Sequence, residues 1–204
     1  MRGMRGLISA EEVLAEYKQQ LACLYEQGVK TSHFDGEKHS HLFLPQTAWA
    51  TDRLMVESGI NKLRLINESP LINTMKKQGI ALKGNAAQKL KLVSLESRVK
   101  RFSSALKDWR SPDYTFGLLL SGRAVATNIK QLLEALLLLH ENSTVEWMFH
   151  PGYPFAHDEP DFTREFGRFF LKGARDRERI ILQSSEIKGV LQEHRQQLIS
   201  YREL

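Results

Sequence analysis

The sequence predicts an α/β protein with parallel strands. Within its first 66 residues, amphipathic helical patterns alternate with short β-compatible segments, which is typical of this fold class. The chain has 204 residues, of which 42% are hydrophobic, and this suffices to bury one sizeable core. No linker or internal repeat interrupts the chain, so we predict a single domain over residues 1–204.

Two helices are predicted from their boundary residues. The first begins at Ser9, a good N-cap residue that is soon followed by two glutamates, and it ends at the C-cap glycine Gly28. The second begins at Pro45, which suits the first turn of a helix, and it ends near Gly59.

Short strands are predicted where β-branched, aromatic or alternating apolar residues occur. The segment from 144 to 149 is the strongest of these because it is rich in such residues. The predicted strands cover residues 29–35, 61–66, 114–120, 144–149 and 198–201. Further helices are predicted at residues 86–109, 128–141, 162–173 and 185–194.

Charge and composition exclude several classes of protein. The 29 basic and 24 acidic residues give a net charge of +5, but the basic residues are spread along helices with acidic neighbours, so we predict no nucleic-acid partner. The longest apolar run, residues 132–139, is too short for a membrane span. Cys23 lies in a helical pattern, where we expect a buried reduced thiol and hence a cytoplasmic protein.

The densest group of chemically active residues lies between positions 33 and 41. Metal-capable side chains occupy every second position there, at His33, Asp35, Glu37, His39 and His41. We expect them to begin at a strand end and continue into its loop, where α/β barrels place catalytic groups. Carboxylates and imidazoles suit zinc or magnesium. The alternative is a polar loop whose histidines cap helices or contact solvent.

A second group follows the strand predicted at 144–149. His150 stands before Pro151 and Gly152, and a histidine at such a strand end suits general acid–base catalysis. A structural histidine is the alternative interpretation. Arg64 would either bind a substrate oxygen or form a surface salt bridge.

These stretches resemble the YdjC/ChbG carbohydrate deacetylases, a family that includes hopanoid-biosynthesis deacetylases. Residues 32–41 are similar to the family's His-x-Asp-Ser/Gly-His-x-His-x-His block, and residues 148–152 to its Cys-His-Pro-Gly block. Residues 185–190 and 199–204 look like its closing helix and strand.

The resemblance implies an irregular (β/α) barrel and the hydrolysis of N-acetyl groups on amino sugars with a divalent metal, Mg or Zn. An N-acetylated sugar would be the substrate. Together with the residue patterns, it assigns catalysis to Asp35 and His150, the metal to Glu37 and His41, and substrate binding to His39, Arg64 and Tyr153.

The sequence departs from the family pattern in two respects. Glu37 stands where the family has a metal-binding histidine, and a carboxylate favours harder ions. The family's opening Asp-Asp-Phe-Gly segment and a later histidine are not found, so we expect a barrel incomplete at its N-terminus. Unpaired sheet edges would then favour self-association, for instance as a homodimer. The alternative is a non-catalytic relative that binds a glycan or a partner protein.

Overall fold

The computed structural model describes most of the chain, namely residues 8–79, 86–103, 109–119, 142–153, 173–195 and 197–204, with positions 130, 133, 135 and 136. Within these residues the chain is a helix-rich α/β protein with a small parallel sheet. The chain divides into two compact units. Unit 1 comprises Met1–Ile66, Val93–Pro112 and Ile199–Leu204, and unit 2 comprises Asn67–Leu92 and Asp113–Leu198. The single domain expected over residues 1–204 stays a prediction.

The elements follow one another in chain order. The helices are α1 (Ala10–Glu26), α2 (Pro45–Ser58), α3 (Ser69–Lys77), α4 (Ala86–Ser103), α5 (Ala174–Gln183) and α6 (Ser185–Glu193), and a 3-10 helix covers Glu37–Leu42. The strands are β1 (Tyr114–Phe116) and β2 (Val145–Trp147).

The boundaries of α1 and α2 confirm the predictions from capping residues. The Glu12 N–H donates to the Ser9 hydroxyl at 3.1 Å, and the Ser9 N–H donates to the Glu12 carboxylate at 2.7 Å. This reciprocal pair satisfies two of the N–H groups that a helix start leaves unbonded. Pro45 opens α2, and Gly59 ends it with a left-handed φ of 71°, which glycine adopts without steric cost.

Unit 1 contains three backbone segments paired in parallel. Phe34 pairs with Leu63, and Lys62 pairs with Arg110. Hydrogen bonds join them, from the Phe34 N–H to the Lys62 carbonyl at 2.9 Å and from the Leu63 N–H to the Arg110 carbonyl at 2.9 Å. The strands predicted at 29–35 and 61–66 are therefore found as these short bridges, with the parallel direction that helical crossovers impose.

The core of unit 1 lies around these segments. Leu63 is fully buried and contacts Leu42, Met55 and Val99, and the partly buried side chains of Phe34, Leu65 and Trp109 pack against this cluster. Helix α1 packs against α2. Burial of apolar surface stabilises a fold by about 25 cal/mol per Å². The buried side chains of this cluster therefore hold the three paired segments together.

Unit 2 contains the small sheet. β1 pairs in parallel with β2, in the register Tyr114 to Val145 and Phe116 to Trp147. Phe116 is fully buried and meets Trp147 edge-on, with ring centroids 5.6 Å apart. Leu71 and Met75 of α3 pack against Phe116, which explains why α3 forms although the sequence pattern did not predict it. A second cluster joins Leu133 of this unit to α5 and α6.

Two expectations are wrong. Residues 198–201 do not form a strand, because the Ser200 N–H and hydroxyl bind the Glu203 carboxylate at 2.7 and 2.9 Å and close a turn. Cys23 is exposed, because the residue of α1 that is buried is Leu21.

Of the other predicted helices, two are confirmed and two fall mostly outside the described residues. Helix α6 confirms the helix predicted at 185–194, and α4 confirms the one at 86–109 as far as Ser103. The helices predicted at 128–141 and 162–173 lie mostly outside the described residues. No helix in the described part of the chain has the length and apolar character required to cross a membrane.

Candidate functional site

Asp35 and Arg64 lie at corresponding ends of two parallel segments in unit 1. Each directly follows a residue of the Phe34–Leu63 pair, so both lie just beyond the paired backbone in the chain direction. Arg64 Nη1 and Asp35 Oδ2 form an ion pair, with the two side chains 22% and 31% exposed. The structure thus brings together two of the residues predicted from the sequence, in a position that solvent still reaches.

His41 is held by hydrogen bonds to the backbone at both ring nitrogens. The Gly36 N–H donates to Nδ1 at 2.9 Å, and Nε2 lies 2.9 Å from the Arg64 carbonyl oxygen. Because Nδ1 accepts, the proton of a neutral ring must be on Nε2, which then donates to Arg64. His41 is 3% exposed, and the Thr51 hydroxyl of α2 donates to the His41 carbonyl at 3.3 Å.

Burial lowers the pKa of His41 below its ordinary value of 6.5, and the hydrogen bond to the Arg64 carbonyl and the charge of Asp35 oppose this only in part. A protonated ring would also direct an Nδ1 proton at the Gly36 N–H, where two donors would meet. The environment of His41 therefore favours the neutral ring.

The loop that carries His41 has an unusual backbone. Lys38 and His39 adopt positive φ angles of 53° and 62°, a left-handed conformation that costs a non-glycine residue about 1–2 kcal/mol. This turn brings Gly36 against His41, so closely that a Cβ on Gly36 would lie 2.5 Å from His41 Nδ1. The backbone from Gly36 to His41 therefore forms a compact turn.

The other candidate site residues of residues 33–41 lie in different environments. His39 is buried, with 7% of its surface exposed. The Glu37 side chain is 85% exposed and pairs with Lys38 at 3.4 Å. His33 stacks on Tyr201, with ring centroids 3.8 Å apart.

A catalytic zinc site usually has three protein ligands. Among the residues that the structure describes, no three His, Cys, Asp or Glu side chains are grouped to hold one ion. His41 would have to give up one of its two backbone hydrogen bonds to bind a metal. The metal role of Glu37 and His41 thus stays a prediction.

The second predicted group lies in unit 2, in the loop after β2. The His150 N–H donates to Glu178 Oε2 at 2.6 Å, and His150 Nδ1 lies 3.9 Å from the same oxygen. Arg175 Nε donates to the His150 carbonyl at 3.1 Å, and Nη2 to the Pro151 carbonyl at 3.3 Å. Helix α5 therefore holds the His-Pro-Gly backbone through two charged side chains.

Tyr153 is 75% exposed, and the Arg179 guanidinium lies over its ring, 4.6 Å from the centroid. The sequence pattern predicted none of these contacts between α5 and the loop after β2. The Arg-Asp-Arg-Glu-Arg sequence of residues 175–179 looks like a solvated helix face, yet Glu178 is 2% exposed. The spacing of the sequence agrees with this burial, since Glu178 and the buried Ile181 are three residues apart and so lie on one side of the helix.

Comparisons with known proteins agree with the resemblance. A family model described as "YdjC-like protein" matches residues 1–193, which excludes the last eleven residues. No curated protein matches the chain. A crystal structure from Enterococcus faecalis, provisionally named a cellobiose-phosphate cleavage protein, is similar with a TM-score of 0.66 and 19% sequence identity. The match covers 98% of this chain but only 62% of that one. At this identity the similarity shows a common fold.

Proposed function

We propose that this chain, which belongs to the YdjC-like protein family, acts as a carbohydrate deacetylase on N-acetylated amino sugars. The observation that carries the proposal is the ion pair of Asp35 and Arg64 just beyond two parallel backbone segments. In α/β enzymes, catalytic groups lie at the carboxyl ends of parallel strands. The similarity to the E. faecalis structure supports the fold on which this argument depends.

The reaction is the hydrolysis of an amide. A water oxygen adds to the acetyl carbonyl carbon, the C–N bond breaks, acetate leaves, and the sugar amine takes up a proton. Asp35 is the proposed general base that accepts a proton from the water, since an aspartate within reach of solvent can do so. Arg64 holds this carboxylate in place, and its contact with a substrate oxygen stays a prediction.

His150 keeps its predicted role as the acid–base residue of the second group. Its side chain is 46% exposed, so solvent reaches it. His39 and Tyr153 keep their predicted roles in substrate binding. The exposed ring of Tyr153 offers an apolar face of the kind that sugar rings pack against.

The proposed function also includes features that the family relationship alone does not establish. They are an irregular (β/α) barrel, a divalent metal, either Mg or Zn, the absence of a nucleic-acid partner, a cytoplasmic location and self-association as a homodimer. The part of the chain that the structure describes supports a helix-rich α/β fold with a parallel sheet.

The function is tested by acetate release from N-acetylglucosamine, N-acetylgalactosamine and their short oligomers. Asp35→Asn should lower the rate by about a hundredfold or more, because the amide has the same shape but cannot act as a base. Glu57→Gln is the matched control, since Glu57 is an ion-paired surface carboxylate of the same unit, bound to Lys18 at 2.5 Å. Equal activity of Asp35→Asn and the control would exclude Asp35 as the base.

Metal dependence has a separate test. Elemental analysis of the purified chain after incubation with Mg or Zn should find less bound metal in Glu37→Ala than in wild type. This variant is informative because the exposed Glu37 side chain can be removed without disturbing the core. Equal metal content in both proteins would remove Glu37 from the proposed ligands.

A second candidate function is binding of a glycan or a partner protein without catalysis. The two backbone hydrogen bonds of His41 favour it, because they describe a structural histidine where a ligand is expected. Calorimetric binding of N-acetylglucosamine oligomers without any release of acetate would support this candidate over the enzyme.

A further inference from the structure

Three backbone groups of the loop after β2 form hydrogen bonds with Arg175 of α5. The Gly152 N–H donates to the Arg175 carbonyl at 3.2 Å, and Arg175 returns two hydrogen bonds to the carbonyls of His150 and Pro151. A Cβ on Gly152 would lie 3.1 Å from the Arg175 guanidinium carbon, so the glycine permits this close approach. Helix α5 therefore holds the backbone from His150 to Gly152 in place.

Glu178 is the most deeply buried charged side chain of this contact. Only 3% of the side chain is exposed, whereas the His150 side chain is 46% exposed. Burying a carboxylate is costly unless hydrogen bonds or opposite charge compensate for the lost water. Its Oε2 atom accepts the His150 N–H at 2.6 Å and lies 3.9 Å from His150 Nδ1, so one oxygen faces both the backbone and the ring of the same residue.

We infer that Glu178 is a positioning residue for His150 in the proposed deacetylation, on which this inference rests. Glu178 fixes the backbone of His150 through the N–H bond, and its carboxylate lies beside Nδ1 of the ring. The neighbouring carboxylate thereby orients the imidazole for its predicted acid–base role. Glu178 acts through His150 and needs no contact with the substrate.

The test is a double-mutant cycle on acetate release, with Glu178→Gln and His150→Ala made singly and together. Glu178→Gln keeps an oxygen that can accept the His150 N–H and removes only the charge. We expect it to lower kcat about tenfold to a hundredfold with little change in KM. In the His150→Ala background the same substitution should change kcat by less than about twofold, because the residue through which it acts is gone.

A merely structural role gives a different result. Glu178→Gln would then lower the residual activity of His150→Ala by the same factor as that of the wild type, which would overturn the inference. Glu186→Gln is the control, since Glu186 is an exposed carboxylate on α6 of the same unit. An active wild type with additive losses overturns the role of Glu178 alone, whereas a wild type that releases no acetate overturns the proposed function together with it.

Discussion

The stability of the loop around His41 should depend on pH in a defined direction. Burial lowers the pKa of this ring in the folded chain, whereas an unfolded chain has the ordinary value of 6.5. Above pH 6.5 the ring is neutral in both states and His41 contributes its full stabilisation. As the pH falls below 6.5, the unfolded state takes up a proton that the folded state does not bind, so stability is lost.

The magnitude follows from linkage. Each pH unit between the unfolded pKa and the lowered folded pKa should remove up to about 1.4 kcal/mol from the free energy of unfolding. Below the folded pKa the loss stops, because both states are then protonated. Protonation in the folded state would also break the acceptor role of Nδ1 toward Gly36.

The variant that isolates this effect is His41→Asn, whose side-chain oxygen can still accept the Gly36 N–H but does not titrate. Loss of the bond to the Arg64 carbonyl should cost about 1–3 kcal/mol at neutral pH. Urea unfolding followed by circular dichroism, at about pH 8 and about pH 5, gives the free energies. Other histidines contribute equally to both proteins and cancel. A free energy of unfolding of the variant that fell with acidification as much as that of the wild type would exclude His41 as the source of the pH dependence.

Two further substitutions, each with a matched control, test the geometry of the same loop. Gly36→Ala should destabilise the chain by about 1–3 kcal/mol, because its Cβ would lie 2.5 Å from His41 Nδ1, and a melting temperature equal to that of wild type would contradict the close approach. Gly189→Ala is its control, because nothing lies within 4 Å of the added Cβ and a helix-interior alanine should stabilise α6 by about 0.5–1 kcal/mol in the same thermal assay. Lys38→Gly should raise the free energy of unfolding by up to about 1 kcal/mol by relieving the left-handed φ of 53°, whereas Lys38→Ala, which keeps that strain, should not.

The parts of the fold that the sequence predicts correctly are those decided by neighbouring residues. Ser9 and Glu12 form their capping box within one turn, and Pro45 and Gly59 bound α2 through their own backbone preferences. Such signals act over three or four residues and do not depend on tertiary structure.

Features decided by distant contacts are harder to predict. Helix α3 depends on packing of Leu71 and Met75 against Phe116, more than 40 residues later. The strand predicted at 198–201 fails for a local reason, because the Glu203 carboxylate binds Ser200 three residues earlier and a turn results. A side-chain contact overrides β-propensity in this case.

The candidate site shows the same division. The pairing of Asp35 with Arg64 follows from two parallel segments that end together, which the alternation of helices and strands predicts. The left-handed turn at Lys38 and His39 is not predicted from the sequence, since neither residue is glycine, which adopts positive φ most readily. Glu178 was missed because its burial depends on His150, 28 residues earlier in the chain.

The most direct test of the account is acetate release from N-acetylated amino sugars by the wild-type chain and by Asp35→Asn. We predict acetate formation by the wild type that falls about a hundredfold or more in the variant. Acetate formation that is the same in both proteins, or absent from the wild type with every sugar, would contradict the proposed deacetylase.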